Sequence, residues 1–273
     1  MRFFDALTFQ HQLLRTLIDR DIRSRYQGAL FGLFWTVLNP MFLLAMYTFV
    51  FTVIFRSRWV VPETDEAAAA ATSGTFGFAT LLFCGLILHA FLAEIISASP
   101  RLILQNKNYV KRVVFPLEIL PMVITGTAVF HFLIKLVVLL GFVLVINHTL
   151  PITALLAPLV FLPLILMGVG LAWMFSALGV YLRDLNQIIT PLLTGLLFLG
   201  PILYPAEAVP EQVRLLMHLN PLSVPVEEMR RVLIFGSLPY WTALLYYTAA
   251  SLLVSALGYM WFNAAKRGFA DVV

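Results

Sequence analysis

The sequence predicts an all-α integral membrane protein, and two observations carry this prediction. Hydrophobic residues make up 61% of the 273 positions and charged residues only 12%, a balance far from that of soluble domains. Several stretches also run for about 18 residues or more with almost no charge, and roughly 20 helical residues suffice to cross a hydrocarbon core of about 30 Å. The single cysteine, Cys84, excludes an intramolecular disulfide bond and is expected to serve packing.

Six transmembrane helices are predicted within one domain that covers residues 1–273. The fifth is short and is interrupted by Pro191, Gly195, Gly200 and Pro201. The approximate spans are 29–55, 76–97, 119–146, 155–182, 188–204 and 241–264. An even number of spans places both termini on the same side of the membrane.

The distribution of basic residues predicts which side that is. No cleavable signal peptide is visible at the start. Twelve of the eighteen Lys and Arg residues fall on the side of the N-terminus, five on the other side, and Lys135 within a span. Since basic residues accumulate in cytoplasmic segments, both termini are predicted to be cytoplasmic.

The N-terminal segment, residues 1–28, is predicted to form an amphipathic helix along the membrane interface. Leu14, Ile18 and Ile22 step by four along one face, and Arg15, Asp19 and Arg23 step by four along another. Asp21 and Arg25 interrupt the pattern, so the helix is predicted to end there.

Two connectors between spans stand out. Residues 98–116 are basic and bounded by prolines, and a short helix is predicted to start at Pro100; the alternative is an ordinary positive loop. Residues 205–239 are amphipathic rather than apolar, and are predicted to form one or two interfacial or re-entrant helices. The outer loop from 56 to 75 matches no recognisable pattern.

Ionisable and small residues within the spans have more than one interpretation. Lys135 has three alternative interpretations: it lines a pathway, makes a polar contact between helices, or extends its side chain towards the membrane interface. Glu94 is expected to reach the cytoplasmic interface. Gly28 and Gly32 form a GxxxG step that predicts close helix packing, either as ordinary packing or as a moving seam.

The first span has a polar sector. At about 100° per residue, Phe31, Phe42 and Phe49 share one narrow sector. The adjoining sector holds Asn39, Thr36 and Tyr47, with Trp35 and Met46 at its edge. Since polar groups are costly against lipid tails, this sector is predicted to face a water-accessible path or a partner, with ordinary interhelical hydrogen bonding as the alternative.

Motifs of enzymatic chemistry are missing from the sequence. It holds no GxxxxGK[ST], HExxH or GxSxG pattern. The five histidines are scattered over different segments, which does not suggest a metal site. We therefore expect no catalytic residue, metal or cofactor on this chain, and no nucleic-acid partner.

Four stretches together resemble a known family. RDIRSRYQGALFGLFWTVLNP followed by YTFVFTVIF resembles the first span of permeases of ABC-type polysaccharide exporters, the group that exports O-antigen, capsule and teichoic acid. KRVVFPLEILP, YLRDLNQII and PILYPAEAVPEQVRLLMHLNPLSVPVEEMRRVL extend the likeness, in the same order and over nearly the whole chain.

The resemblance implies a homodimer bound to two copies of a separate ATPase subunit that holds MgATP, and a lipid-linked polysaccharide exported across the bacterial inner membrane. It implies that residues 98–116 couple the chain to the ATPase. The residues concerned are Arg101, Lys107, Tyr109, Lys111 and Arg112. It also implies that 205–239 is a periplasmic gate. The gate residues are Tyr204, which directly precedes this segment, and Glu207, Glu227, Glu228, Arg230 and Arg231 within it. The substrate channel is expected at the first span and the third. Its residues are Trp35, Thr36, Asn39, Tyr47 and Lys135.

Other functions remain open at this point. Capsule or teichoic-acid-type polymers are alternative substrates. A membrane-embedded transferase that acts on lipid-linked glycans would need a cluster of carboxylates or histidines at one interface. A secondary transporter would show inverted repeats with paired broken helices, which the sequence does not.

Overall fold

The computed structural model describes residues 2–54, 76–110, 115–182, 184–206 and 209–272. Within these ranges the chain forms eleven α-helices. They are α1 Arg2–Tyr26, α2 Trp35–Thr48, α3 Gly77–Gln105, α4 Lys107–Val110, α5 Ile119–Asn147, α6 Ala157–Tyr181, α7 Leu185–Phe198, α8 Glu211–Leu219, α9 Ser223–Leu233, α10 Trp241–Lys266 and α11 Phe269–Val272. The outer loop from 56 to 75 lies outside the described residues.

The all-α membrane fold is confirmed. Five helical stretches of the described chain are long and apolar enough to cross a membrane. They are Gly32–Phe51, Gly77–Gln105, Ile119–Ile146, Ile152–Tyr181 and Trp241–Lys266. The fifth predicted span corresponds to α7, an apolar helix of 14 residues, or about 21 Å at 1.5 Å per residue. Helix α7 ends at Phe198, just before Gly200 and Pro201, so it stops short of a full crossing.

Helix α3 is the centre of the bundle. It packs against α2, α5, α6, α7 and α9, and most of its side chains are buried. Three phenylalanines join α3 to α5 and α6: the rings of Phe132 and Phe161 stack with centroids 3.8 Å apart, and Phe91 meets Phe161 edge-on at 4.9 Å. The apolar core therefore lies where these three helices meet.

Helix α10 reaches the bundle through α6, at a close approach between glycines. A Cβ atom on Gly170 would lie 2.7 Å from the backbone of Ser255, and one on Gly258 would overlap the backbone of Gly170. Small residues allow this approach, because they let helix backbones come together without side chains between them. The α6–α10 contact is the most extensive in the described chain.

The close-packing role predicted for Gly28 and Gly32 is wrong within this chain. Both have positive φ, 87° and 50°, and a Cβ atom on either would meet no other atom within 4 Å. Gly28 lies in a turn after α1, and Gly32 is the first residue of a short 3-10 helix before α2. Their conformation is one that glycine adopts without strain, so they break the helix rather than join two helices.

The N-terminal helix is confirmed in its amphipathic pattern, and it ends one residue after Arg25, close to the predicted end. Leu14 and Ile18 pack with Leu17 against the start of α5, whereas Arg15 is exposed. Gly126 of α5 leaves the space that Ile18 fills. The helix continues through Asp21 and Arg25 to Tyr26, because both charges find partners inside the bundle.

Candidate functional site

A cavity of about 460 Å³ lies between α2, α3, α5 and the end of α7. It is the place where the structure brings the five predicted channel residues together. Trp35, Thr36, Asn39, Tyr47 and Lys135 all line it. Phe83, Leu86, Ile87, His89, Ala90, His131, Leu197, Tyr26, Pro40 and Leu43 complete the wall. That the five residues contact a substrate remains a prediction.

The two sectors of the first span face different surroundings. The hydroxyl of Thr36 is buried and donates a 2.6 Å hydrogen bond to the carbonyl of Leu33, and the polar sector faces the cavity. Phe31, Phe42 and Phe49 are more than half exposed. Helix α2 continues through Pro40, so the sequence spacing placed the sectors correctly.

A charged network lies beside the cavity. The Glu94 carboxylate accepts hydrogen bonds from Arg25 at 2.6 Å and from Nδ1 of His131 at 2.8 Å. Nε2 of His131 lies 2.9 Å from the hydroxyl of Tyr26. A carboxylate only accepts hydrogen bonds, so Nδ1 of His131 donates to Glu94, and Nε2 shares a second hydrogen bond with the hydroxyl of Tyr26. Burial raises the pKa of Tyr26, which keeps that hydroxyl protonated.

Glu94, expected to reach the cytoplasmic interface, is held by partners on α1 and α5. Arg25 comes from α1, and the turns after α1 bring it against α3 and α5. Asp21 extends the network, since it accepts from Thr127 at 2.9 Å and pairs with Arg25 at 3.1 Å. From the sequence, the histidines were considered as metal ligands, and His131 was assigned no part in a charged network. The signal that could have found it is an ionisable residue in each of two apolar helices.

The connector between α3 and α5 is tied to α1. Tyr109 of α4 stacks on Phe115, with ring centroids 4.3 Å apart, and accepts a 2.8 Å hydrogen bond from Arg20. Arg101 donates to Asn186 at the start of α7, at 3.1 Å, and Lys107 is exposed. Lys111 and Arg112 lie outside the described residues.

The predicted helix start at Pro100 is wrong. Pro100 lies inside α3, which continues to Gln105. The helix persists because Leu102 and Ile103 are buried in the core, and because Gly179 of α6 lets the two backbones meet at Pro100. The connector between α3 and α5 is therefore shorter than residues 98–116.

The segment 205–239 contains two helices, α8 and α9, which confirms the prediction of short helices here. Arg230 is buried and donates to the carbonyls of Leu81, Pro201 and Ile202. These bonds join α9 to α3 and to the turn after α7. Nearby, the hydroxyl of Tyr204 donates to the carbonyl of Phe198.

Glu228 and Arg231 of this segment also have partners. Glu228 is buried and accepts from the backbone N–H of Tyr240 at 2.8 Å, and burial raises the pKa of its carboxyl. The guanidinium of Arg231 lies 3.7 Å from the centroid of the Tyr240 ring. Glu227 is half-buried, and Glu207 lies outside the described residues. The gate role of all six residues remains a prediction.

Among the described residues, no group of three or more His, Cys, Asp or Glu is placed to hold a metal ion. A bundle of helices long enough to span a membrane, around a partly polar cavity, defines the class of the protein: a polytopic membrane protein. The model of the ABC-2 type transporter family matches residues 12–235. The chain belongs to this family, whose members pair with an ABC ATPase subunit, so it is a transport permease rather than an enzyme in its own right.

Three relatives are similar over nearly their whole length. Two O-antigen export system permease proteins RfbA from Klebsiella pneumoniae are each 24% identical over 269 residues, which cover 98% of this chain and 97% of theirs. The RfbA protein of Myxococcus xanthus is 24% identical over 263 residues, which cover 96% and 95%.

Proposed function

We propose that this chain is the membrane-spanning subunit of an ATP-driven exporter that moves a lipid-linked, O-antigen-type polysaccharide across the inner membrane to the periplasm. It works as a homodimer with two ABC ATPase subunits, which bind MgATP, and both of its termini are cytoplasmic. Capsule and teichoic-acid-type polymers are the alternative substrates. The names of the three relatives support the choice of O-antigen.

The cavity beside α2 is the observation that carries this proposal. A sugar path calls for flat aromatic faces that slide past pyranose rings, and for a few hydroxyl or amide groups that exchange hydrogen bonds without trapping the chain. Trp35 and Tyr47 supply the faces, and Asn39 supplies the amide.

The network beside the cavity links this path to the cytoplasmic face. Helix α1 contacts α4 through Arg20 and Tyr109, and it contacts the cavity wall through Arg25, Tyr26 and Glu94. A displacement of α4 by the ATPase would reach the cavity through α1, because both sets of contacts belong to one helix.

A membrane-embedded transferase is disfavoured by the same network. Glu94 and His131 are the kind of cluster that a transferase needs. Both nitrogens of His131 are already engaged, with Glu94 and Tyr26, so neither is available to a substrate.

A deletion of this chain in its own host, restored from a plasmid, tests the proposal. We expect the deletion to abolish surface polysaccharide and the wild-type chain to restore it. Trp35→Ala and Tyr47→Ala should reduce export at normal protein levels, whereas the matched controls Phe42→Leu and Phe49→Leu should export normally. Normal surface polysaccharide in the deletion strain would contradict the function, and defects confined to the phenylalanine variants would contradict the placement of the path.

A further inference from the structure

Four polar groups on the cavity wall make no hydrogen bond or ion pair in the part of the chain that the structure describes. They are the indole N–H of Trp35, the amide of Asn39, the hydroxyl of Tyr47 and the ammonium of Lys135. The other polar groups of the wall are engaged, as His89 is with the carbonyl of Leu193 at 3.0 Å. Groups left unpaired at membrane depth are costly, so their convergence on one cavity indicates a ligand.

Lys135 gives this cavity its charge. It lies near the middle of α5, twelve residues before the helix ends at Asn147, which is about 18 Å of helix and too far for its side chain to span. The carboxylate of Glu94 is already occupied by Arg25 and His131. Glu94 acts on the ammonium of Lys135 electrostatically but forms no ion pair with it, so among the described residues the ammonium faces the cavity without a counter-ion in contact.

The donor chemistry of these four groups selects an anion. An ammonium and an indole N–H can only donate hydrogen bonds, whereas the amide and the phenol both donate and accept. A ligand that satisfies them must be rich in acceptor oxygens, and the ammonium favours one that is negatively charged. The cavity volume is also in the range of small-molecule sites, so it has room for a sugar ring beside the anionic group.

We propose that the cavity binds a phosphate group of the exported glycolipid, with Lys135 as its counter-ion and with Trp35 and Tyr47 flanking the adjoining sugar. The choice of a glycolipid rests on the proposed function. The preference for an anion follows from the wall residues alone. Phosphate can come from the lipid carrier, from a free phosphate compound or from the headgroup of a bulk phospholipid, and the test separates these sources.

The binding test uses the full chain in nanodiscs of phosphatidylcholine. Isothermal titration calorimetry measures the affinity for farnesyl diphosphate, for inorganic pyrophosphate and for uncharged farnesol. We expect Lys135→Met to weaken the binding of farnesyl diphosphate at least tenfold, Lys135→Arg to retain it within about threefold, and farnesol to bind all variants equally. Val137→Met is the matched control, because Val137 is an exposed residue of the same helix that does not line the cavity.

Two further comparisons identify the source of the bound phosphate. Lys135-dependent binding of pyrophosphate as tight as that of farnesyl diphosphate would show that phosphate alone is recognised. Loss of binding when phosphatidylglycerol replaces part of the phosphatidylcholine would show that the site also takes bulk headgroups. Both results support an anion site. Equal binding of farnesyl diphosphate by the wild type, Lys135→Met and Val137→Met, or its failure to bind the wild type, would overturn the proposal.

Export measured in the same variants keeps the two proposals apart. If Lys135→Met binds farnesyl diphosphate and exports polysaccharide as well as the wild type, the anion site is wrong and the export function stands. If binding depends on Lys135 but the wild-type chain restores no export, the export function is wrong and the anion site stands.

Discussion

Removal of the Glu94 charge should weaken the attachment of α1 to the bundle. The pair between Arg25 and Glu94 is only partly exposed, at 33% and 17% of the two side chains, and a hydrogen bond between charged groups contributes about 1.5–3 kcal/mol. Solvent around Arg25 and its second partner, Asp21 at 3.1 Å, reduce this value. We therefore expect a coupling energy of about 1–2 kcal/mol between Arg25 and Glu94.

A double-mutant cycle measures that coupling. The variants are Arg25→Met, Glu94→Gln and the double substitution, and their free energies of unfolding come from SDS titration in mixed micelles followed by circular dichroism. The exposed pair of Asp19 and Arg23, at 60% and 75% exposure, is the control and should give about 0.3–0.5 kcal/mol. A coupling in the Arg25–Glu94 cycle no larger than that of the control pair would refute the reasoning.

Helix packing at Gly258, ATPase docking at Tyr109 and ATP hydrolysis can each be tested separately. Gly258→Leu should destabilise the chain by more than about 2 kcal/mol, because α6 leaves no space for a side chain there, whereas Gly141→Leu, which meets open space, should melt at the wild-type temperature. Tyr109→Ala should weaken co-purification of the ATPase severalfold, and Tyr109→Phe, which keeps the ring, should weaken it less; equal retention by all three chains would rule out a docking role for this ring. The purified chain alone should not hydrolyse ATP, since its sequence has no phosphate-binding loop, and ATP turnover that follows this polypeptide through purification would contradict the assignment.

The sequence predicted most of the fold because membrane helices depend on hydrophobic length, which can be read directly. The polar sector of the first span could also be predicted from the sequence, since the helical period alone places Trp35, Thr36, Asn39 and Tyr47 together. Helix α2 continues through Pro40, so that period is kept. Helix ends were harder to predict from the sequence. The sequence predicts a helix boundary at Pro100, yet α3 continues past it, because Gly179 lets the backbone of α6 pack closely against Pro100.

The charged network could not be predicted in the same way. Its members are 69 and 37 positions apart, for the contacts of Glu94 with Arg25 and with His131. The first contact depends on how α1 folds back against the bundle, and the second on how α3 packs against α5. The glycines show the same limit: the GxxxG spacing of Gly28 and Gly32 indicates close packing only if both lie in a helix. Both instead have positive φ, a property of the backbone that the spacing does not reveal.

Photocrosslinking from the cavity tests the central claim, that the glycan passes along the polar sector of α2. The photoreactive residue p-benzoylphenylalanine replaces Tyr47 in one variant and the outward-facing Phe42 in another, within the assembled transporter in membranes that contain its glycolipid. We predict that illumination attaches glycan to the chain at position 47 and not at position 42, and that attachment increases when ATP is supplied. Attachment at position 42 alone, or at neither position in a transporter that exports normally, would contradict the account.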